Sequence, residues 1–231
     1  MSNCFNKLES FKVHENDQCI FYWLGSVRYD ESLQLQNDLL EFKKRHRSHH
    51  SILQRNEKNF FIGLEHDLVL TLGLRAHDQS EFYSQFGFPI YKIRRGGLAT
   101  VHNSGQLVIY PIVDLKSSNL SVKKFVENLF LTTQELLEKY KISCVVDVNY
   151  QPGVYTKSGK IAFCGLQISN GITQHGLSLN NSNNLDVFEK IESCGIKNAN
   201  LDSIKENGIE ISNKDLFIQW SSLYKMTIVE R

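Results

Sequence analysis

Residues 143–180 read "SCVVDVNYQPGVYTKSGKIAFCGLQISNGITQHGLSLN". Four short segments in this stretch, "SCVVDV", "GVYTKSG", "KIAFCGLQIS" and "ITQHGLSLN", are strand-like. Their β-branched and aromatic residues are separated by Asn, Pro and Gly. "KSG" at 157–159 signals a hairpin, since Gly159 can take the positive φ that such a turn requires. Strands that follow one another without intervening helices argue against a strict β-α-β rhythm and for a mixed, largely antiparallel sheet.

Working outward, "SVKKFVENLFLTTQELLEKY" (121–140) is the clearest helix. Val122, Phe125, Val126, Leu129, Phe130, Leu136 and Leu137 recur at helical spacing, and Ser121 is placed to cap its N-terminus. "DESLQLQNDLLEFKKRHR" (30–47) predicts a second amphipathic helix through Leu33, Leu35, Leu39, Leu40 and Phe42. "NKDLFIQWSSLYKM" (213–226) predicts a third. "NFFIGLEHDLVLTLG" (59–73) reads as one or two strands, and "PIYKIRR" (89–95) and "QLVIYPIVDL" (106–115) as one each. The fold class expected is therefore α/β in its α+β form, a mixed sheet flanked by helices. With no repeat and no Pro-, Gly- or Ser-rich linker, residues 1–231 are expected to form a single domain.

The formal net charge of +1 gives no electrostatic case for nucleic acid or a membrane surface as partner. The start carries no apolar core for a secretory signal, and no window approaches a spanning run. A cytoplasmic protein is expected. Five cysteines, with no C-x-x-C pair, argue against a disulfide framework or a structural zinc site in a reducing compartment.

Several segments carry chemistry. "RRGGLATVHNSGQ" (94–106) pairs Gly96 and Gly97, which permit close backbone approach to a ligand, with Arg94, Arg95 and His102. It is neither a dinucleotide fingerprint nor a P-loop. Judged by position alone, Lys160 is a hairpin-flanking lysine in solvent. Cys164 shares a strand face with Ala162 and Leu166 and reads as core packing, and His175 reads as a core histidine satisfied by hydrogen bonds. His46, His49 and His50 end a basic helix and read as a solvated face rather than a metal site. Cys194, in "ESCGI", differs from a buried thiol because it lacks apolar neighbours on both sides. A lysine beside such a cysteine favours the thiolate, the attacking species, so a Lys160 and a Cys194 that converged on one cleft would suit acyl transfer, although their spacing in the sequence does not show that they meet.

The blocks "LEHDLVLTLG", "RRGGLATVHNSGQLVIYPIVDL", "GVYTKSGKIAFCGLQIS", "TQHGLSLN" and "ESCGI" occur in an order and at separations that resemble the lipoyl(octanoyl) transferases. The resemblance covers most of the chain and implies the biotin/lipoate protein ligase-like fold. It also implies a reaction in which an octanoyl group passes from acyl carrier protein to an enzyme cysteine. From there it goes to a lysine of a lipoyl domain in a 2-oxoacid dehydrogenase complex or of a glycine-cleavage H protein. The family's nucleophile falls on Cys194 and its partner lysine on Lys160. Its substrate loop falls on Arg95, Gly96, Gly97, Leu98, Ala99, Thr100, Val101 and His102. Further substrate contacts fall on Phe163, Cys164 and Gly165 and on His175, Gly176, Leu177 and Ser178. No cofactor and no metal are implied. The chain departs from the family's usual "Y-H-G-P-G-Q" at Val101, Asn103 and Ser104, carries Ser193 where a proline is usual, and has Cys164 at a normally aliphatic position. The alternatives are an ATP-dependent lipoate or biotin ligase, which needs no cysteine, and a non-catalytic relative that binds lipoyl domains.

Overall fold

The computed structural model describes residues 8–49, 58–188 and 200–225. Strands are Lys12–Glu15 (β1), Cys19–Ser26 (β2), Asn59–Glu65 (β3), Val69–Leu72 (β4), Ile90–Lys92 (β5), Ala99–His102 (β6), Gln106–Ile112 (β7), Cys144–Asp147 (β8), Gly153–Thr156 (β9), Lys160–Ser169 (β10) and Ile172–Asn180 (β11). Helices are Tyr29–His49 (α1), Ser80–Ser84 (α2), Val122–Lys139 (α3) and Asn213–Leu223 (α4). Eight strands form one sheet in the order β1-β2-β3-β7-β11-β10-β9-β8, and β5-β4-β6 form a second. All pairings in the large sheet are antiparallel except β2 with β3. The mixed, largely antiparallel expectation therefore describes the large sheet, while the small sheet is an addition to it.

Helices cover both faces of the large sheet. On one face Phe125, Leu129, Phe130, Leu136 and Leu137 of α3 and Leu216, Phe217 and Trp220 of α4 pack on Phe21, Phe61, Leu107 and Ile109. On the other, Leu39 and Leu40 of α1 pack on Tyr22, Phe60, Ile62, Val108 and Tyr110. Neighbouring residues of β2, β3 and β7 thus face opposite cores. This is why "CIFYWLGS" shows no alternation and β2 was not legible as a strand. Each large side chain fully buried this way contributes about 1.5–3 kcal/mol. Ser121 caps α3, its Oγ accepting from the Lys124 amide.

The stretch 59–73 is two strands in two different sheets. After β3 the chain turns at His66, and β4 joins the small sheet, whose core holds Leu70, Leu72, Ala99, Val101 and Phe188. The β9–β10 turn closes through the Thr156 amide to the Gly159 carbonyl at 2.9 Å. Gly159 takes the positive φ expected of this hairpin and serves a second purpose as well. Its φ is 159°, and a Cβ there would lie 2.3 Å from the Asn200 carbonyl oxygen, so the glycine also admits a neighbouring stretch of backbone.

Candidate active site

Where the outward face of the small sheet meets the α1 side of the large one, a cavity of about 490 Å³ opens. β6 alternates across this boundary. Thr100 and His102 line the cavity, whereas Ala99 and Val101 are fully buried in the small sheet's core. Those two predicted substrate contacts therefore face away from the cavity, because period two puts them on the other side of the strand. Arg95, Gly96, Gly97 and Leu98 line it from the preceding loop. The Gly96 amide donates to the Leu166 carbonyl at 3.0 Å, which seats that loop on β10. Gly97 adopts a φ of +89°, a conformation suited to glycine. Arg95 is buried and donates through Nη2 to the Thr71 carbonyl (3.0 Å) and hydroxyl (2.9 Å), while Arg94 is exposed.

Lys160 is not the solvated lysine that its place in a hairpin suggests. It is only 6% exposed, and its Nζ donates to the Pro152 carbonyl at 2.8 Å. Its ammonium lies 5.2 Å from the Tyr155 ring centroid and 4.9 Å from that of Phe163, a setting of π faces and a carbonyl that suits a cation. Gly153 makes the room, since a Cβ there would come within 2.3 Å of Lys160 Cε. The sequence reading missed Gly153 and Pro152; the "PG" pair ahead of a strand was their only local mark.

His175 is also aimed by backbone. Its φ of 55° is a left-handed conformation inside β11, where a non-glycine residue is strained. The ladder between β11 and β7 stops at Leu177, and the His175 amide turns instead to Gln36 Oε1 of α1 at 2.7 Å. Pro111, which has no N–H to offer, occupies β7 at this break. Gly176 beside it has no space for a side chain, as a Cβ would meet the Ile109 carbonyl at 2.3 Å. His175 is thus buried as expected, yet it also lines the cavity, and no hydrogen bond to its ring is made within the described residues. Burial, with Arg95 nearby, lowers its pKa to about 3.

Phe163, Cys164, Gly165, Gly176, Leu177 and Ser178 line the cavity too. Cys164 also packs against the core that holds Ala162, and burial pushes its thiol up to about 12, a state unsuited to nucleophilic attack. Cys19 and Cys144 are buried, with thiols pushed up to about 12 and about 11. Tyr29, Arg75, Tyr110 and Tyr150 join the lining without having been read from the sequence as site residues. Of the predicted histidine trio, His46 bonds the Phe42 carbonyl through Nδ1 at 2.9 Å, and His50 lies outside the described residues.

Cys194 falls in 189–199, outside the described residues; of the residues bordering that segment, Phe188 packs on Phe163 and Asn200 bonds Lys160. Phe188 stacks on Phe163, with ring centroids 6.2 Å apart and an interplanar angle of 11°. On the far side the Lys160 amide donates to the Asn200 carbonyl at 2.9 Å and the Asp202 amide to the Lys160 carbonyl at 3.1 Å. The departing "VHNSGQ" loop has its own tether in place of a proline. Asn103 donates to the Asn184 carbonyl at 2.8 Å and accepts from Asn183 Nδ2 at 3.2 Å, tying the loop to the chain that leads into 189–199.

The Lipoyl protein ligase A/B catalytic domain family matches residues 28–217 of this chain, a span that contains every element lining the cavity. The chain belongs to that family. An "Octanoyltransferase" of Alkaliphilus metalliredigens is 34% identical over 219 residues, covering 90% of this chain and 95% of that one. Among solved structures, a lipoate-protein ligase A bound with ATP superposes with a TM-score of 0.64 at 13% identity, covering 89% of this chain and 84% of the other. A biotin protein ligase from Aquifex aeolicus in complex with biotin and ATP gives 0.51 at 14%, covering 88% and 68%. The expected biotin/lipoate protein ligase-like fold is thus the fold observed. No helix among the described residues is long and apolar enough to cross a membrane, and no His, Cys, Asp and Glu cluster among them would hold a metal.

Proposed function

We propose that this chain is an octanoyltransferase of protein lipoylation, carrying the acyl group from acyl carrier protein to a lipoyl-domain lysine through a thioester on Cys194. The observation that supports the mechanism is that the borders of 189–199 are held on β10, one by the Phe188–Phe163 stack and one by the Lys160 backbone pair, and that the Phe163 ring lies 4.9 Å from the Lys160 ammonium. Cys194 lies midway between these anchors in the sequence.

In the first half-reaction the Cys194 thiolate bonds the acyl carbon, the carrier's C–S bond breaks, and the leaving thiolate takes a proton from the Lys160 ammonium. In the second, the neutral acceptor amine bonds the same carbon and Cys194 leaves with the electron pair. The amine's surplus proton returns to the dyad. A thioester becomes an amide, so the step runs downhill without ATP. Ile93, Leu98, Val108, Leu166 and Leu177 give the cavity apolar walls for the chain, at about 0.8 kcal/mol per methylene buried.

The test is intact-protein mass spectrometry after mixing with octanoyl-acyl carrier protein, without ATP. Wild type should gain one octanoyl group that an apo lipoyl domain then discharges, and Cys194→Ser should gain none. A Cys194→Ser protein that still octanoylates the lipoyl domain would replace this mechanism with the ATP-dependent ligase route once ATP and free octanoate are supplied.

A further inference from the structure

A buried hydrogen-bond chain behind the cavity settles which nitrogen of His102 carries the proton. The Asp202 carbonyl oxygen can only accept, so the atom of Asn180 bonded to it at 3.1 Å is Nδ2. Asn180 Oδ1 then faces Gln106, whose Nε2 donates to it at 2.9 Å. Gln106, oriented in this way, turns Oε1 towards His102, and Nδ1 at 2.7 Å must be the protonated nitrogen. A second carbonyl gives the same answer independently. The Asn184 carbonyl accepts from Asn103 Nδ2 (2.8 Å), so Asn103 Oδ1 accepts from Asn183 Nδ2 (3.2 Å). That amino group also donates to Asn180 Oδ1 at 3.3 Å, confirming Oδ1 as the acceptor.

The neighbouring His66 shows what the arrangement is for by contrast. Its Nδ1 donates to the Val27 carbonyl at 2.6 Å, and its Nε2 is consumed by the Tyr110 hydroxyl at 2.9 Å. His102 has the same tautomer, lines the cavity, and its Nε2 meets no partner among the described residues. Burial lowers the His102 pKa to about 3, helped by His66, Arg95 and His175 around it, so the ring stays neutral and accepts without keeping a proton.

We infer that Gln106 and Asn180 are positioning residues that lock His102 as its Nδ1–H tautomer, so that Nε2 accepts a hydrogen bond from the amine attacking the acyl-enzyme. This rests on the amine acylation proposed above. In that step the nitrogen–carbon bond forms, the carbon–sulfur bond of Cys194 breaks, and one amine proton passes to the dyad. His102 holds the amine's other N–H, which turns the nitrogen lone pair towards the acyl carbon.

Nitrogen-15 NMR of the full chain, labelled at its histidine rings, reads the tautomer with no substrate present. The His102 signals are those lost in His102→Asn. Wild type should show a protonated Nδ1 and an unprotonated Nε2, and Gln106→Leu or Asn180→Ala should give a mixture of tautomers. A protonated Nε2 in wild type would overturn the inference, whether or not any variant folds. Single-turnover kinetics then test the role. His102→Asn, which retains a bond towards Gln106 but lacks the Nε2 acceptor, should slow discharge to the lipoyl domain about tenfold more than it slows acylation of the enzyme. Equal slowing of the two halves would remove the amine-orienting role. An enzyme that never acquires an octanoyl group would instead refute the acyl-enzyme reading and leave the tautomer result standing.

Discussion

On the β9–β10 wall of the cavity, Lys160 lies between two aromatic faces with its ammonium on the Pro152 carbonyl. On the β6–β11 wall, His102 and His175 are as deeply buried, but their neighbours are Arg95 and other histidines. The two walls exclude water to a similar degree and treat charge in opposite ways. π faces and a carbonyl oxygen stabilise a cation, whereas a guanidinium beside a ring disfavours a second one. For the histidines burial is the largest cause of the lowered pKa and Arg95 adds to it, whereas the groups packed on Lys160 are ones that attract a cation. A wall whose packed groups attract a cation thus faces a neutral wall suited to accepting hydrogen bonds.

Removing the cation should break this contrast most severely. Lys160→Met should slow single-turnover transfer by about 10²-fold or more, the usual contribution of a placed acid–base group. Its melting temperature should stay near that of wild type, and quenched-flow detection of the octanoyl-enzyme would measure the rate. A variant with wild-type kinetics would mean that the lysine wall is structural.

A smaller effect should come from moving the cation without deleting it. Gly153→Ala inserts a methyl where Lys160 Cε and Nζ lie, so the lysine must leave its nest. The transfer rate should fall by about tenfold through misplacement alone. The same assay, with circular dichroism as the folding control, would read it.

The neutral wall makes its mark on stability. His66, His102 and His175 have folded-state pKa values of about 4, about 3 and about 3, below the ordinary 6.5. The unfolded chain therefore takes up protons that the folded chain refuses as pH falls below 6.5. Each histidine should cost about 1.4 kcal/mol of stability per pH unit from there down towards its folded value. Urea titrations between pH 7 and 5 would show the slope. His175→Phe should reduce the histidine contribution by about a third.

Much of the scaffold was legible because it rests on local patterns. The four strands of 143–180, the 121–140 helix with its Ser121 cap, and the amphipathic stretches 30–47 and 213–226 all carry periodicity or capping that the chain expresses locally. β1, β2 and β6 were missed where that signal fades. β2 is apolar on both faces, and β6 hides in a glycine-rich motif whose function drew the reading away from its alternation. The order of the motifs identified the family, and that resemblance pointed to Lys160, His102, His175 and Arg95, which line one cavity, as candidates before any geometry was known.

The sequence by itself thus determined the kinds of elements, the family and the residue types available for acyl transfer. Only the tertiary structure decided which of them share a cavity. It turned Lys160 from a solvent lysine into a caged one, sent Ala99 and Val101 to a core while keeping Thr100 and His102 at the cavity, and set Gly159 against Asn200. The physical reason is that periodicity and caps arise from residues a few positions apart. A side chain's charge, tautomer and exposure depend on whatever folds against it, and for His102 that partner is reached through Gln106, Asn180 and a carbonyl at Asp202.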